Sequence, residues 1–163
     1  MTWIRSSTRR EITICAQTTE VQEFLQNIAD CARLMPDVES VEQIADDILR
    51  YRLEPFSNGA VSFTPDYQTR FDMSDPGTIR WYPHGEHNFR SRGAFRVLPG
   101  AVPGESLLEI AISSEADVDV DPILQTIVEP FAQQSTDLVT EQYLQVLKEH
   151  IEKSVTQKVR LGA

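Results

Sequence analysis

The segment Trp81-Tyr-Pro-His-Gly-Glu-His-Asn-Phe89 places two of the three histidines and a glutamate within four positions. These residue types bind transition metals or exchange protons near neutral pH. Their spacing argues against a metal. Zinc sites draw three or four ligands at Cx2–4C or Hx3–5H separations, or present HExxH on a helix, and His84-Gly-Glu86-His87 does neither. In extended backbone Glu86 and His87 point to opposite faces, and Pro83 and Gly85 are turn residues. The segment therefore reads as a solvated hairpin loop, in which His84 or Glu86 has acid or base work only if the loop borders a binding cavity. Asp117-Val-Asp-Val-Asp121 opens like an EF-hand loop, but its sixth and twelfth positions hold Pro122 and Val128 instead of Gly and Glu. It reads as a strand-to-helix connection with acids near the positive end of a helix. Arg80, Arg90, Arg92 and Arg96 fall at outward strand positions, as a basic stripe or, preferably, as cross-strand ion pairs with Glu109 as a counter-charge. No GxSxG, P-loop, GxGxxG or HExxH occurs, so nucleophilic catalysis has no support and no cofactor is called for.

The 163 residues match one domain of ordinary composition, with 40% hydrophobic and 25% charged residues. We expect a single domain over 1–163, with its core at about 9–157. Fifteen Lys and Arg against twenty-five Asp and Glu give a net charge of -10, which repels polyanions, so nucleic acid is not an expected partner. Cys15 and Cys31 form no CxxC pair and read as small core or near-core residues in a reducing compartment. No secretory signal or membrane-spanning run is apparent, and a cytoplasmic location is expected.

The elements that must position these residues follow from periodicity. Ile12, Ile14 and Ala16 alternate as a half-buried first strand. Thr19-Glu-Val-Gln22 reads as a capping box, opening a helix with Val21, Phe24, Leu25 and Ile28 on one face and ending before Pro36. From Val38 to about Ala116 the period is two, an antiparallel meander. Its clearest run is Val61 to Met73, with Val61, Phe63, Tyr67, Phe71 and Met73 inward and a bulge or edge position at Pro65. Phe95, Leu108 and Ile110 extend the inward face. Asp121-Pro122 is an N-cap and N1 pair, and Ile123, Leu124, Ile127, Val128, Phe131, Leu138, Tyr143, Val146, Leu147, Ile151 and Val155 form a helical stripe. Pro130 is expected to divide a short lead-in from a helix of about 25 residues.

This order resembles the helix-grip fold. Ile12-Thr-Ile-Cys-Ala16, Val21, Phe24-Leu25 and Leu34-Met-Pro36-Asp-Val38-Glu-Ser-Val41 are similar to the opening of the START/polyketide cyclase-like (SRPBCC) superfamily, as are Trp81, Gly93 before Phe95, and Glu105-Ser-Leu-Leu-Glu109. They resemble most its bacterial branch, that of the polyketide cyclase/dehydrase, coenzyme Q-binding and G-type carbon-monoxide-dehydrogenase proteins. The resemblance implies an α+β fold, a curved antiparallel sheet wrapped around a long C-terminal helix. It also implies a cavity for a small hydrophobic ligand such as a lipid, isoprenoid or polyketide. The cavity residues expected are Phe63, Tyr67, Phe71, Trp81, Phe95, Ile110, Phe131 and Leu138. Carrier, sensor or accessory function is the leading expectation. A polyketide cyclase/dehydratase, or an assembly protein using the arginine face with a protein partner or homodimer, are the alternatives. Where relatives often carry a Trp after the first-helix valine, this chain has Gln22, with Phe24 the nearest aromatic.

Overall fold

The computed structural model describes residues 2–58 and 61–161. Strand β1 (Thr2–Ile14) is followed by helices α1 (Thr18–Leu25) and α2 (Ile28–Ala32), then by β2 (Val38–Ala45), β3 (Ile48–Leu53), β4 (Phe56–Asn58) and β5 (Val61–Phe63). Next come β6 (Asp66–Asp75), β7 (Thr78–His84), β8 (Phe89–Pro99) and β9 (Ser106–Val118). A 3-10 turn (Pro122–Leu124) leads into α3 (Gln125–Leu161). Seven strands form one antiparallel sheet in the order β1-β9-β8-β7-β6-β3-β2, and β4 and β5 form a separate hairpin. Among the described residues no helix is long and apolar enough to cross a membrane.

Alternation dictates most of this. In β6, Tyr67 and Thr69 are buried and Phe71 and Met73 half-buried, while Arg70 and Asp72 are exposed. The run Val61 to Met73 is not one strand, however. Pro65 lacks the N–H a ladder needs, so the chain leaves the hairpin at Phe63 and enters the main sheet at Asp66. Ser57-Asn-Gly59, whose residue types are a turn signal within the meander, lies partly outside the described residues. Strand β1 starts at Thr2, well before the apolar alternation that begins at Ile12, because Thr2 to Ser7 pair with Val118 to Ser113 whatever their polarity. Cys31 is buried, but Cys15 is exposed, in the turn after β1.

Helix α1 begins earlier than the expected capping box: Gln17 is the N-cap, and the Glu20 carboxylate accepts its N–H at 3.1 Å. Asp121 caps the 3-10 turn, accepting the Ile123 N–H at 3.0 Å. Helix α3 is continuous through Pro130. That proline lies in the second turn, where it deletes one backbone bond and leaves the rest of the helix intact.

The C-terminal half of α3 is the packed half. Tyr143, Leu144, Leu147 and Ile151 are buried against Ile14, Val21, Leu25, Phe95, Leu108 and Ile110. Each fully buried Leu or Ile contributes roughly 1.5–3 kcal/mol. The N-terminal half is held differently, along the outer edge of β1. Gln125 Nε2 donates to the Trp3 carbonyl at 3.4 Å, and Glu129 accepts the Arg5 N–H at 3.4 Å. Gln133 accepts the Ser7 N–H at 3.1 Å and donates to its carbonyl at 2.6 Å. Four helical residues rise about 6 Å and two strand residues about 6.7 Å, so side chains at i, i+4 and i+8 match alternate backbone groups of an edge strand. The helix thus caps an edge that would otherwise invite another strand.

Candidate functional site

Between the concave face of the sheet and α3 lies a hollow in two parts. The deep chamber, about 70 Å³, is walled by Tyr51, Tyr67, Thr69, Trp81, Phe95, Ile110 and Tyr143. The outer chamber, about 280 Å³, opens between the β4–β5 hairpin (Phe56, Val61, Phe63) and the α3 residues Val128, Ala132, Ser135, Thr136 and Val139. Tyr67, Ser91, Met35, Ile112, Val139 and Thr140 border both.

The walls are two runs of aromatic rings. Tyr51 stacks on Tyr67 at 4.8 Å, Tyr67 meets Phe89 at 4.7 Å, and Phe89 meets Phe63 at 6.5 Å. The second run passes from Phe71 through Trp81 and Phe95 to Tyr143, at centroid spacings of 6.2, 5.4 and 6.1 Å. Gly93 makes the second run possible: a Cβ there would stand 2.5 Å from Trp81 Cζ2 and would collide with the Ala111 carbonyl oxygen.

Buried polar atoms of this kind need partners, and most have them. Trp81 Nε1 donates to Ser91 Oγ at 3.0 Å, Thr69 Oγ1 donates to Tyr51 Oη at 3.0 Å, and Tyr143 donates to the Cys31 carbonyl at 2.7 Å. Tyr67, at the junction of the chambers, has no such partner among the described residues. Burial, with the nearby Tyr51 and Asp37, holds its phenol well above the ordinary range, so it stays a neutral donor. Burial likewise raises Tyr143, and it pushes the Cys31 thiol, beside Asp30, up to about 12. Asp37 lies in the wall of the outer chamber with Oδ1 fully buried and without a hydrogen-bond partner among the described residues. Burial raises its pKa above the ordinary carboxylate value, opposed in part by a hydrogen bond to its own backbone.

Six of the eight residues expected from sequence surround this hollow: Phe63 at the outer chamber, Phe71, Trp81, Phe95 and Ile110 at the deep one, and Tyr67 at both. Phe131 and Leu138 do not; they are 49% and 54% exposed, and Ile123, Leu124 and Ile127 are exposed as well. The edge clamp on β1 and the Tyr143-to-Ile151 core fix the rotation of α3, and both turn those large side chains outward. What faces the hollow is Ala132, Ser135, Thr136, Val139 and Thr140. Their i, i+3, i+4, i+7, i+8 spacing is visible in the sequence as a stripe of small residues, and it was the stripe of large ones that misled. Tyr51 and Asp37 were also missed, although Tyr51 alternates inward between Leu49 and Leu53.

The histidine segment is a loop only from Gly85 to Asn88; Pro83, expected as a turn residue, and His84 belong to β7 and still pair with Thr69 and Gln68 of β6. His84 ends β7, Gly85 takes the left-handed φ of 73° that the turn requires, and Asn88 fastens the loop to the β5–β6 connection. The Asn88 Oδ1 accepts the Asp66 N–H at 3.0 Å and its Nδ2 donates to the Thr64 carbonyl at 2.9 Å. Among the described residues no group of three His, Cys, Asp or Glu side chains is placed to hold a metal ion.

Helix, strands and hollow together define a START-like helix-grip fold. No protein-family model matches the chain, and no curated protein matches it in sequence. Solved structures match it in shape over most of its length. A protein from Thermus thermophilus is 19% identical with a TM-score of 0.69, over 91% of this chain and 98% of that one. A START superfamily protein from Mycobacterium smegmatis is 14% identical with a TM-score of 0.69, over 90% and 97%. The Zhui aromatase/cyclase from Streptomyces sp. R1128 is 14% identical with a TM-score of 0.67, over 93% and 96%.

Proposed function

We propose that this protein binds a small hydrophobic ligand, of lipid, isoprenoid or polyketide character and bearing at least one oxygen, between the sheet and α3. The supporting observation is the junction of the two chambers, where the Tyr67 hydroxyl stands without a protein partner among the described residues, in a wall built mostly of aromatic and aliphatic carbon with Ser91 and Thr140 also at the junction. Ligand pockets have this make-up, apolar walls with few placed polar groups, and volumes from about 300 Å³ upward. The outer chamber is near that lower bound. Phe63, Tyr67, Phe71, Trp81, Phe95 and Ile110 are the proposed contacts, with Tyr51 and Tyr143 behind them. The ligand's oxygen accepts from Tyr67, and the protein serves as carrier, sensor or accessory factor. Titration with an environment-sensitive apolar fluorophore, and mass spectrometry of a solvent extract of the purified protein, test this. Saturable binding that weakens in Tyr67→Phe supports it; a protein that neither binds the dye nor carries any extractable apolar molecule refutes it.

A second reading, a polyketide cyclase or dehydratase, is favoured by one feature, the presence of Asp37 in the same cavity wall as Tyr67. A carboxyl with a raised pKa and a neutral phenol are the groups an enolisation or dehydration would use. Turnover of a poly-β-ketone substrate, abolished in Asp37→Asn while dye binding persists, would establish it.

A further inference from the structure

The convex face carries a second hollow, of about 750 Å³, which reaches the β1 edge where Gln133 and Asp137 of α3 border it. Strand register sets its floor. Arg9 pairs with Ala111, Ala111 with Ala94, and Ala94 with Arg80, so one row across four strands reads Arg-Ala-Ala-Arg. In the next row Ser7 pairs with Ser113 and Ser113 with Arg92, beside Tyr82. Small side chains in the two central strands leave the depression, and arginines stand at its margins.

Neighbouring carboxylates do not neutralise these arginines. Of the four outward arginines expected to pair across strands, Arg96 does so with Glu109 at 3.4 Å and Arg90 lies 4.1 Å from the Trp3 ring. Arg80, Arg92 and Arg9 make no ion pair among the described residues. Asp72, opposite Arg80 in the register of β6 and β7, feels its charge but makes no direct ion pair with it, its hydrogen bonds coming from the Ser74 N–H and hydroxyl at 3.0 and 2.7 Å. Arg10, also at the margin, is neutralised by Asp137 at 3.4 Å and Glu141 at 3.1 Å. The remaining three positive charges face one hollow on a chain of net charge -10.

We propose that this hollow is a binding site for a compact oligophosphate, a small molecule with two or more linked or neighbouring phosphate groups. Arg80 and Arg92 are diagonal neighbours on adjacent strands, about 7–8 Å apart at Cα, a distance from which two guanidinium forks grip one phosphate. Arg9 stands three strand spacings, about 14 Å, from Arg80 and takes the far end of the molecule. The flanking rows differ: Glu11 and Glu109, with Arg96, lie across one side, and Arg5, Glu115 and Arg90 across the other. On the first side a long polyanion would run onto Glu11 and Glu109, whereas a compact one ends short of them.

Sodium tripolyphosphate, titrated calorimetrically at low ionic strength into the full chain, is the test. We expect one saturable site, weakened at least about tenfold in the Arg80→Gln/Arg92→Gln double variant, a loss of about 1.4 kcal/mol. Arg5→Gln, outside the hollow and paired with Glu115 at 3.5 Å, leaves it unchanged. Absence of saturable binding, or equal affinity in the double variant, overturns the proposal. So does tighter binding of a polyglutamate peptide than of tripolyphosphate, which would make the surface one for an acidic protein. Exposed outward arginines carry no core packing, so thermal melting of the double variant should match the parent, and binding of apolar dye on the opposite face is a separate readout.

Discussion

At Asp37 burial works against ionisation. Its folded-state pKa is raised from 3.8 by burial, so the sign of its linkage is fixed. Below 3.8 both folded and unfolded chains are protonated there and burial costs no ionisation energy. As pH rises past that value the unfolded chain ionises first, stability falls, and the loss levels off only above the raised folded value. Asp37→Asn removes the titration, so its stability advantage over the parent should be least near pH 3 and grow toward neutrality. Each kcal/mol so gained lifts the melting temperature by roughly 2–4 °C. Tyr67 and Glu54 line the same wall, and neither alters the direction. Thermal melts in steps of about one pH unit between pH 3 and pH 8 decide it; a pH-independent offset refutes the assignment. Gly93 makes a second prediction of the same scale. Gly93→Ala must displace backbone at Ala111 or the Trp81 ring, costing about 1–3 kcal/mol or more in urea unfolding. Gly77→Ala, whose new Cβ meets nothing nearer than 3.5 Å, should cost far less.

At the scale of elements, what could be read from sequence was whatever a local pattern controls. Alternation identified the inner face of β6, and Asp121-Pro122 announced the turn before α3. The polar half of β1 could not be read, because its strand state comes from pairing with β9 at the far end of the sheet's sequence. The rotation of α3 was hidden for a related reason: Gln125, Glu129 and Gln133 look like ordinary solvated helix residues until an edge strand is laid beside them. That clamp is testable through Gln133, whose amide makes two bonds to Ser7. At about 0.5–1.5 kcal/mol each, their loss in Gln133→Ala should destabilise by about 1–3 kcal/mol. Hydrogen exchange at the Ser7 amide should quicken by an order of magnitude or more, while exchange in β8 follows only the global change. Unaltered exchange at Ser7 would mean that the edge is protected by something else.

For the whole molecule the consequential fact is an asymmetry along α3. Its C-terminal half closes a core with Tyr143, Leu144, Leu147 and Ile151, while its N-terminal half turns small residues toward the sheet and leaves Ile127, Phe131 and Leu138 in solvent. Stability alone would favour the reverse, since large apolar side chains facing the sheet would bury area at about 25 cal/mol per Å². A hollow that lowers stability is the signature of a site held for something else. Filling it should therefore separate the two properties. Ala132→Phe places a ring into the outer chamber, and we expect it to raise the melting temperature, with up to roughly 1.5–3 kcal/mol available from the added burial. The same variant should weaken apolar dye binding at least about tenfold, the equivalent of about 1.4 kcal/mol. Phe131→Ala, on the outward face of the same helical turn, should leave dye affinity where it was. Should Ala132→Phe lower stability and spare binding, the space beneath Ala132 is already filled and the ligand must be sought elsewhere.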